Sequence, residues 1–279
     1  MGWRAIPLSP PSNSTVPPPG PTALICTDFD GTLVDPEMNP PFPTELGERI
    51  EMLQREGVAW TIATGRSLFQ VVQGLTQNGI GVAPDFIISS ERELYGRAGI
   101  NRWMPVGKWN ARCAKDHRKL FRSSGRFFKR VKNHVLTATT ARYVETMDEP
   151  AAIVATSNEE MDEICTFLEE QMQKVPSLGY ERNTIYLRFG HTAYSKGTVV
   201  GHLAGHLGLS ADLVFACGDN YNDLSMLDGQ WARHVACPSN SAAPVKEAVL
   251  QAGGMVAERP AGLGVLEALD RVFPAAAIR

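Results

Sequence analysis

Residues 23–35 read ALICTDFDGTLVD, and this stretch decides the fold because an apolar run stops abruptly at two carboxylates. The run Ala23–Cys26 has the composition of a strand that is covered on both faces, as in a parallel sheet with helices above and below. In open α/β sheets, ligands bind beyond the carboxyl ends of the strands. We therefore expect Asp28 and Asp30 to lie at a functional site.

The spacing of Asp28 and Asp30 allows the two carboxylates to take different roles. In an extended segment both side chains point the same way, but a turn at Gly31 can swing the second away from the first. One carboxylate could then attack a substrate while the other handles protons. The same residues also fit a strand that ends in a polar Asp-Gly turn without any catalytic role. The motif therefore needs support from the rest of the chain.

Strands and helices alternate along most of the chain. Apolar runs predict the strands, and apolar residues at helical spacing predict the helices between them. This order indicates right-handed crossovers and a parallel sheet. The predicted strands are 23–26, 58–63, 86–90, 213–217, 234–236 and 255–257, and the predicted helices are 44–57, 67–79, 195–207, 244–252 and 263–272.

Residues 91–191 interrupt this alternation and predict a separate α/β insertion. The insertion is richer in basic and aromatic residues, with a long helix predicted over 158–175 and an alternating strand over 184–189. Nine Lys or Arg residues lie within 112–134, where they fit either a solvated helix face or a surface that meets an anionic substrate. Residues 1–22 are rich in proline and are expected to form a flexible tail.

The composition excludes several classes of protein. The chain has 279 residues, of which 43% are hydrophobic and 20% charged, as is typical of a globular protein with one or two domains. Its net charge of −3 gives no overall attraction to nucleic acid or anionic membranes, and no apolar stretch is long enough for a membrane span. Five cysteines without close spacing suggest neither disulfides nor a zinc site. No secretory signal is visible, so we expect a cytoplasmic protein. Its oligomeric state is left open.

Four stretches, in the right order, resemble the motifs of the haloacid dehalogenase (HAD) superfamily of phosphatases. The first is DFDGTLV at 28–34, and the second is TIATGRS at 61–67, an apolar strand that ends in a hydroxyl residue. The third is Ser195-Lys196-Gly197, which supplies a lysine, and the fourth is the acidic loop GDNYNDLSML at 218–227. Together they span most of the chain, and the fourth is long enough to be specific by itself.

The resemblance implies a fold as well as a chemistry. It implies a Rossmann-like α/β core with a parallel sheet, formed by residues 23–90 and 192–279, and an inserted α/β cap at 91–191 that sets substrate specificity. A cap between the second and third motifs is similar to subclass IIB, the Cof-like and sucrose-phosphatase-like members. However, the stretch at 90–93 reads SERE, where Cof-type proteins usually have Asn-Gly, and this departure leaves the specificity open.

The resemblance also implies roles for single residues. Asp28 would be both nucleophile and metal ligand, and Asp30 would be the general acid and base, with its main-chain carbonyl on the metal. Whether Asp223 touches the metal directly, and whether Arg66 faces the cap or forms a structural ion pair, are left open. The predicted catalytic residues are Asp28, Asp30 and Lys196; the substrate-binding residues are Thr64, Gly65, Arg66, Lys196 and Asn222; the metal ligands are Asp28, Asp30, Asp219 and Asp223.

These assignments predict a magnesium-dependent phosphatase. It would hydrolyse a small phosphorylated metabolite, with a sugar phosphate favoured, through an aspartyl-phosphate intermediate, and its cofactor would be Mg²⁺. A carboxylic acid at Asp30 favours rapid turnover of the phosphoenzyme. Two alternatives are kept: a phosphosugar mutase, which shares the Asp-x-Asp pattern, and a non-catalytic module that binds a phosphorylated ligand.

Overall fold

The computed structural model describes residues 20–100, 102–145 and 151–274. The predicted flexible tail at 1–22 lies outside the described residues up to residue 19. The chain divides into two compact units, which are described separately below. The first unit is formed by the described residues up to Gly107 and from Lys196 onward, and the second by Lys108–Ser195.

Strands and helices follow one another much as the sequence predicts. In the part of the chain that the structure describes, no helix combines the length and apolarity needed to cross a membrane. The strands are β1 (Ala23–Thr27), β2 (Val58–Ala63), β3 (Phe86–Ser89), β4 (Glu93–Gly99), β5 (Arg102–Pro105), β6 (Arg142–Val144), β7 (Ala152–Val154), β8 (Leu178–Asn183), β9 (Tyr186–His191), β10 (Val214–Cys217), β11 (His234–Cys237) and β12 (Met255–Val256). The helices are α1 (Thr44–Arg55), α2 (Leu68–Gln77), α3 (Trp109–Ser123), α4 (Gly125–Ala138), α5 (Asn158–Met172), α6 (Lys196–His206), α7 (Leu224–Leu227), α8 (Ala243–Gln251) and α9 (Ala261–Val272).

The first unit is built on one sheet whose strand order is β12-β11-β10-β1-β2-β3-β4-β5. The strands from β12 to β3 are parallel, and β4 and β5 continue the sheet in antiparallel pairing. Every residue of β1 and β2 is buried, as expected for strands covered on both faces. The predicted α/β fold with a parallel sheet is therefore confirmed.

The helices of the first unit form where apolar residues recur on one face. In α1 that face carries Leu46, Ile50 and Leu53, which are fully buried in the same core as β1 and β2. The helix α2 starts at a capping box in which the Ser67 hydroxyl accepts from the main-chain N–H of Gln70. The buried face of α1 therefore packs in the core that also contains β1 and β2, next to the strand ends that carry the first two motifs.

The first unit extends further along the chain than the predicted core. The sequence predicts that residues 91–107 belong to the insertion, whereas β4 and β5 form a hairpin on the edge of the large sheet. The main chain of β4 pairs with β3, and Leu94 opposite Ile88 is fully buried. The observed insertion is therefore the shorter segment Lys108–Ser195, because the chain completes the sheet edge before it leaves the core.

The second unit is a four-stranded antiparallel sheet of order β6-β7-β9-β8 with the helices α3, α4 and α5. Residues from the sheet and the helices share one apolar core, which includes Val131, Ile153, Ile164 and Leu187. Eight of the nine basic residues predicted at 112–134 are exposed, and Lys132 is half-buried. This exposure fits both interpretations, a solvated helix face and a surface that meets an anionic substrate.

Two predicted elements of the second unit have different boundaries in the structure. The helix predicted to reach residue 175 ends at Met172, because Pro176 disfavours helical backbone in the residue before it. The strand predicted from residue 184 begins at Tyr186, since Thr184 has a positive φ of 50° in the turn between β8 and β9. The partner strand β8 was not predicted from the sequence.

Candidate active site

The predicted site residues of the first and fourth motifs meet at the carboxyl ends of neighbouring strands in the first unit. The strand β1 has β2 on one side and β10 on the other, so the strand order reverses there, as at many ligand sites. Asp28 follows β1 directly, and Asp219 follows β10 after one glycine. The main-chain N–H of Asp28 donates to the carbonyl of Cys217 over 2.9 Å, which fixes the register of the two motifs.

Lys196 lies at the centre of the site and is fully buried. Its Nζ donates to Asp28 Oδ1 over 2.7 Å and to Asp223 Oδ1 over 2.6 Å, and it lies 3.5 Å from Glu91 Oε2. Burial alone would lower the pKa of this ammonium, but the charges of Asp223, Asp28 and Glu91 outweigh it and raise the pKa well above its usual value. Lys196 is therefore a permanently charged group surrounded by carboxylates.

Three buried carboxylates come together beside this lysine. One oxygen from each of Asp28, Asp219 and Asp223 lies within 4.8 Å of the others. Burial, followed by repulsion from Asp223, raises the pKa of Asp219 to about 7, although a hydrogen bond from Thr32 opposes the shift. Burial also raises the pKa of Asp28 well above its usual range; the charge of Lys196 opposes this shift, and repulsion from Asp223 and Asp219 adds to it. The cluster therefore lacks positive charge.

The donor set of this cluster fits a magnesium ion. Asp28, Asp219 and Asp223 carry three negative charges when ionised, and Lys196 is the charged partner that reaches two of them. Mg²⁺ prefers carboxylate oxygens and keeps several positions for water and substrate oxygens. A divalent cation would also remove the repulsion that raises the carboxyl pKa values. The acidic cluster agrees with the predicted Mg²⁺ cofactor.

Asp223 shapes the loop that carries Asp219. Its Oδ2 accepts hydrogen bonds from the main-chain N–H groups of Asp219 and Asn220 over 2.9 and 3.0 Å, while its Oδ1 accepts from Lys196. Both carboxylate oxygens are thus already engaged by N–H groups. This favours a role in holding the loop and Lys196, which the sequence analysis could not separate from direct metal binding.

The carboxylate of Asp30 lies apart from this metal-binding cluster. Arg66 clamps it with two hydrogen bonds, Nε to Oδ2 over 2.7 Å and Nη2 to Oδ1 over 2.5 Å, and the guanidinium also lies 4.7 Å from the centre of the Phe29 ring. The turn that separates the two aspartates needs Gly31, which has a φ of +75° and whose added Cβ would lie 2.6 Å from Asp219 Oδ2. The ion pair predicted as one alternative for Arg66 is therefore present.

The remaining predicted residues surround a carboxylate that the sequence analysis did not assign. The side-chain amide of Asn222 donates to Glu91 Oε1 over 3.0 Å, and a Cβ added at Gly65 would lie 2.7 Å from the same oxygen. The Thr64 hydroxyl accepts from the main-chain N–H of Arg66 over 3.2 Å. The available signal for Glu91 was its position just after a buried strand, in the stretch that departs from Asn-Gly.

A family model described as haloacid dehalogenase-like hydrolase matches residues 25–91 and 85–258. The chain belongs to the haloacid dehalogenase-like hydrolases. The HAD resemblance predicted from the four motifs is thus confirmed. A comparison with curated proteins gave no match.

Solved structures similar to this HAD-like hydrolase cover nearly the whole chain. Sucrose-phosphatase from Synechocystis sp. PCC6803, in complex with sucrose and phosphate, has a TM-score of 0.69 at 16% identity, with 90% of this chain and 97% of that chain covered. YhjK from Bacillus subtilis, a haloacid dehalogenase-like hydrolase protein, has a TM-score of 0.60 at 15% identity, with 91% and 93% covered. BT4131, a HAD subclass IIB sugar phosphatase, has a TM-score of 0.55 at 16% identity, with 89% and 98% covered. At these identities the comparisons establish a shared fold.

Proposed function

We propose that this HAD-like hydrolase is a magnesium-dependent phosphatase that acts on a small phosphorylated metabolite. The observation that carries the proposal is the convergence of Lys196 with Asp28 and Asp223, next to Asp219, at the ends of β1 and β10. A carboxylate that attacks a phosphate monoester needs nearby positive charge, because both groups are anionic. Lys196 supplies part of this charge within the first unit, and the acidic cluster could hold a cation that supplies the rest.

Asp28 is the proposed nucleophile. One of its carboxylate oxygens attacks phosphorus, the bond from phosphorus to the ester oxygen breaks, and Asp30 gives a proton to the departing alkoxide. In the second step Asp30 takes a proton from water, which attacks the aspartyl-phosphate and releases inorganic phosphate and the Asp28 carboxylate. In the structure both Asp30 oxygens accept from Arg66, so this ion pair must open for Asp30 to carry the proton that it gives to the leaving group.

The other proposed residues bind charge. Lys196 stabilises the negative charge that shifts in the transition state, while Thr64, the main chain of Gly65 and Asn222 bind phosphoryl oxygens. Asp28, Asp219 and the main-chain carbonyl of Asp30 would hold Mg²⁺. When bound, the ion would neutralise charge on the phosphoryl group and on the nucleophile.

A sugar phosphate is the favoured substrate class. Two proteins of the same fold are named a sucrose-phosphatase and a subclass IIB sugar phosphatase, and we place this chain in the same subclass. In this proposal the second unit, Lys108–Ser195, is the cap that selects the leaving group. The position of this insertion between the second and third motifs supports the assignment.

Phosphate release from a panel of phosphorylated metabolites and from para-nitrophenyl phosphate, with and without Mg²⁺, tests the proposal. Asp28→Asn should lower the magnesium-dependent rate at least about a thousandfold, because it removes the nucleophile. Asp35→Asn is the matched control, since Asp35 accepts from the main chain of Glu37 and makes no contact with the acidic cluster among the described residues. Activity retained by Asp28→Asn would refute the nucleophile.

The same assays separate the two alternatives kept from the sequence. A mutase would convert a hexose 1-phosphate into the 6-phosphate instead of releasing phosphate. A binding module would bind a phosphorylated ligand tightly and turn over none of the panel. Either result would overturn the phosphatase assignment.

A further inference from the structure

Glu91 is a buried carboxylate in the site to which neither the motifs nor the proposed reaction gives a role. Only 5% of the residue is exposed, and it lies just beyond the end of β3. Its main-chain N–H donates to the carbonyl of Thr64 over 3.0 Å, and that of Ser90 donates to the carbonyl of Arg66 over 2.8 Å. The loop after β3 is thus tied to the second motif, so the position of Glu91 is fixed by the main chain.

The side chain of Glu91 contacts the residues to which we assign phosphoryl binding. Its Oε1 accepts from the Asn222 amide over 3.0 Å and lies against Gly65, and its Oε2 is 3.5 Å from the Lys196 ammonium. The side-chain oxygen of Asn222 is buried and has no hydrogen-bond partner among the described residues. The orientation of the Asn222 amide therefore depends on its bond to Glu91.

The main chain at Glu91 is strained in a way that glycine would avoid. Ser90 and Glu91 have φ values of 49° and 66°, in the left-handed region that residues with a Cβ rarely adopt. Strain of this kind persists where the surrounding structure requires it, and it is concentrated at functional sites. A glutamate at this position therefore indicates that the side chain does something that glycine could not.

We propose that Glu91 is a positioning residue of the phosphoryl site, an inference that rests on the proposed function. Its carboxylate takes one N–H of the Asn222 amide and so aims the other at the substrate, and from 3.5 Å away it steadies the Lys196 ammonium. Glu91 acts through these two residues and exchanges no proton with the substrate. Its effect should therefore depend on Asn222.

The decisive variant is Glu91→Gly, because it removes the carboxylate and relieves the backbone strain together. We expect its thermal unfolding temperature to be no lower than that of the wild type, while kcat/KM for para-nitrophenyl phosphate falls about thirtyfold. Glu91→Gln keeps the size of the side chain and one acceptor, so it should rescue most of the activity and lose only about threefold to fivefold. A merely structural role would instead lower stability and activity together.

Two further measurements isolate the contact with Asn222. In an Asn222→Ala background, Glu91→Gly should lower kcat/KM less than about fivefold, because the group that it positions is already gone. Ser90→Gly is the matched control: it gives the same backbone freedom one residue earlier, removes no carboxylate, and should leave kcat/KM unchanged. Equal losses from Glu91→Gly in both backgrounds would overturn the proposal.

Binding of inorganic phosphate in the presence of Mg²⁺, measured by titration calorimetry, separates this proposal from the phosphatase assignment. Positioning predicts about tenfold weaker binding by Glu91→Gly, even if the wild type turned over no substrate at all. Unchanged or tighter binding would show that the carboxylate only repels the anion, and it would overturn the role of Glu91 while leaving the phosphatase function intact. No binding of phosphate by the wild type would overturn the positioning role, while phosphate release from the substrate panel would still decide the phosphatase assignment.

Discussion

Each unit contains a carboxylate with several close polar neighbours, but these neighbours are other carboxylates in the first unit and hydrogen-bond donors in the second. In the first unit, Asp219 lies among other carboxylates, and burial raises its pKa to about 7. In the second unit, Glu160 accepts from the main-chain N–H and the hydroxyl of both Thr140 and Thr156, over 2.7 to 2.8 Å. The main-chain bond from Thr156, followed by the bonds from the two hydroxyls, lowers the pKa of Glu160 to about 2.

The difference shows which carboxylates have their stabilising partners within the protein and which leave room for a ligand. Glu160 has donors for both of its oxygens within its own unit, so its charge stabilises the loops that it joins. The cluster around Asp219 keeps like charges together in a buried place, with Lys196 as their common cation among the described residues. Carboxylates held in this way are typical of sites that bind a cation or react.

The strongest test of this contrast removes Lys196. Lys196→Met leaves Asp28 and Asp223 without their buried cation, and breaking such a pair costs about 3–5 kcal/mol of the free energy of unfolding. The loss of transition-state stabilisation should lower kcat/KM about a thousandfold. Urea unfolding without Mg²⁺ and steady-state phosphatase assays measure the two effects.

An exposed lysine provides the control for that variant. Lys132 in the second unit pairs with Glu145 over 2.8 Å, and both side chains are about half exposed. Pairs of this kind contribute about 0–1 kcal/mol, so Lys132→Met should change neither stability nor activity appreciably. Similar losses in the two variants would contradict the contrast between the units.

The second test follows the pKa of Asp219 through the binding of Mg²⁺. A carboxyl whose pKa is about 7 in the folded state and about 4 when unfolded binds more protons when folded, so stability without metal falls as the pH rises across that interval. Mg²⁺ must displace these protons, and its apparent affinity should therefore be about tenfold weaker at pH 6 than at pH 8. Unfolding midpoints measured against Mg²⁺ concentration check this, and equal affinity at the two pH values would contradict it.

Most of the fold was predictable because its signals are local. The apolar runs at β1 and β2 predict strands that are buried on both faces. The spacing of Leu46, Ile50 and Leu53 predicts a helix that is buried on one face. The hairpin of β4 and β5 was not assigned to the core, since its short strands look the same whether they extend one sheet or start another. Strand order is a property of the folded chain and not of any one segment.

The site was predictable to the same extent. Asp28, Lys196 and Asp219 stand in motifs whose resemblance to the HAD superfamily identified them, and the fold brings them together. The bond between Asp30 and Arg66, and the carboxylate of Glu91 beside Asn222, depend on which loops meet at the strand ends. Glu91 was visible in the sequence only as a departure from a pattern, and only its contacts with Asn222 and Lys196 in the structure show where its side chain points.

A smaller effect is expected from Thr32, whose hydroxyl donates to Asp219 Oδ1 over 2.7 Å. Thr32→Val keeps the size of this buried side chain and removes a hydrogen bond that lowers the pKa of Asp219. Groups that hydrogen-bond to a metal ligand tune the affinity for the metal, so we expect Mg²⁺ to bind up to about tenfold more weakly. A higher pH should be needed for half-saturation. Thr61→Val, at a buried threonine of β2, is the matched control and should leave Mg²⁺ affinity unchanged.

The smallest effect should come from Glu160, the carboxylate whose two oxygens already have hydrogen-bond donors in the protein. Glu160→Gln removes the charge that Thr140 and Thr156 stabilise, and it should lower the unfolding temperature by a few degrees at pH 7 while leaving kcat for para-nitrophenyl phosphate unchanged. Because the pKa of Glu160 is lower in the folded state, its contribution is present above about pH 4.5 and disappears as the pH falls towards 2. The difference between variant and wild type should therefore shrink in acid. Glu163→Gln, at an exposed position on the same helix, is the control, and its unfolding temperature should equal that of the wild type at either pH. A loss of phosphatase activity in Glu160→Gln would mean that the Glu160 carboxylate is not purely structural.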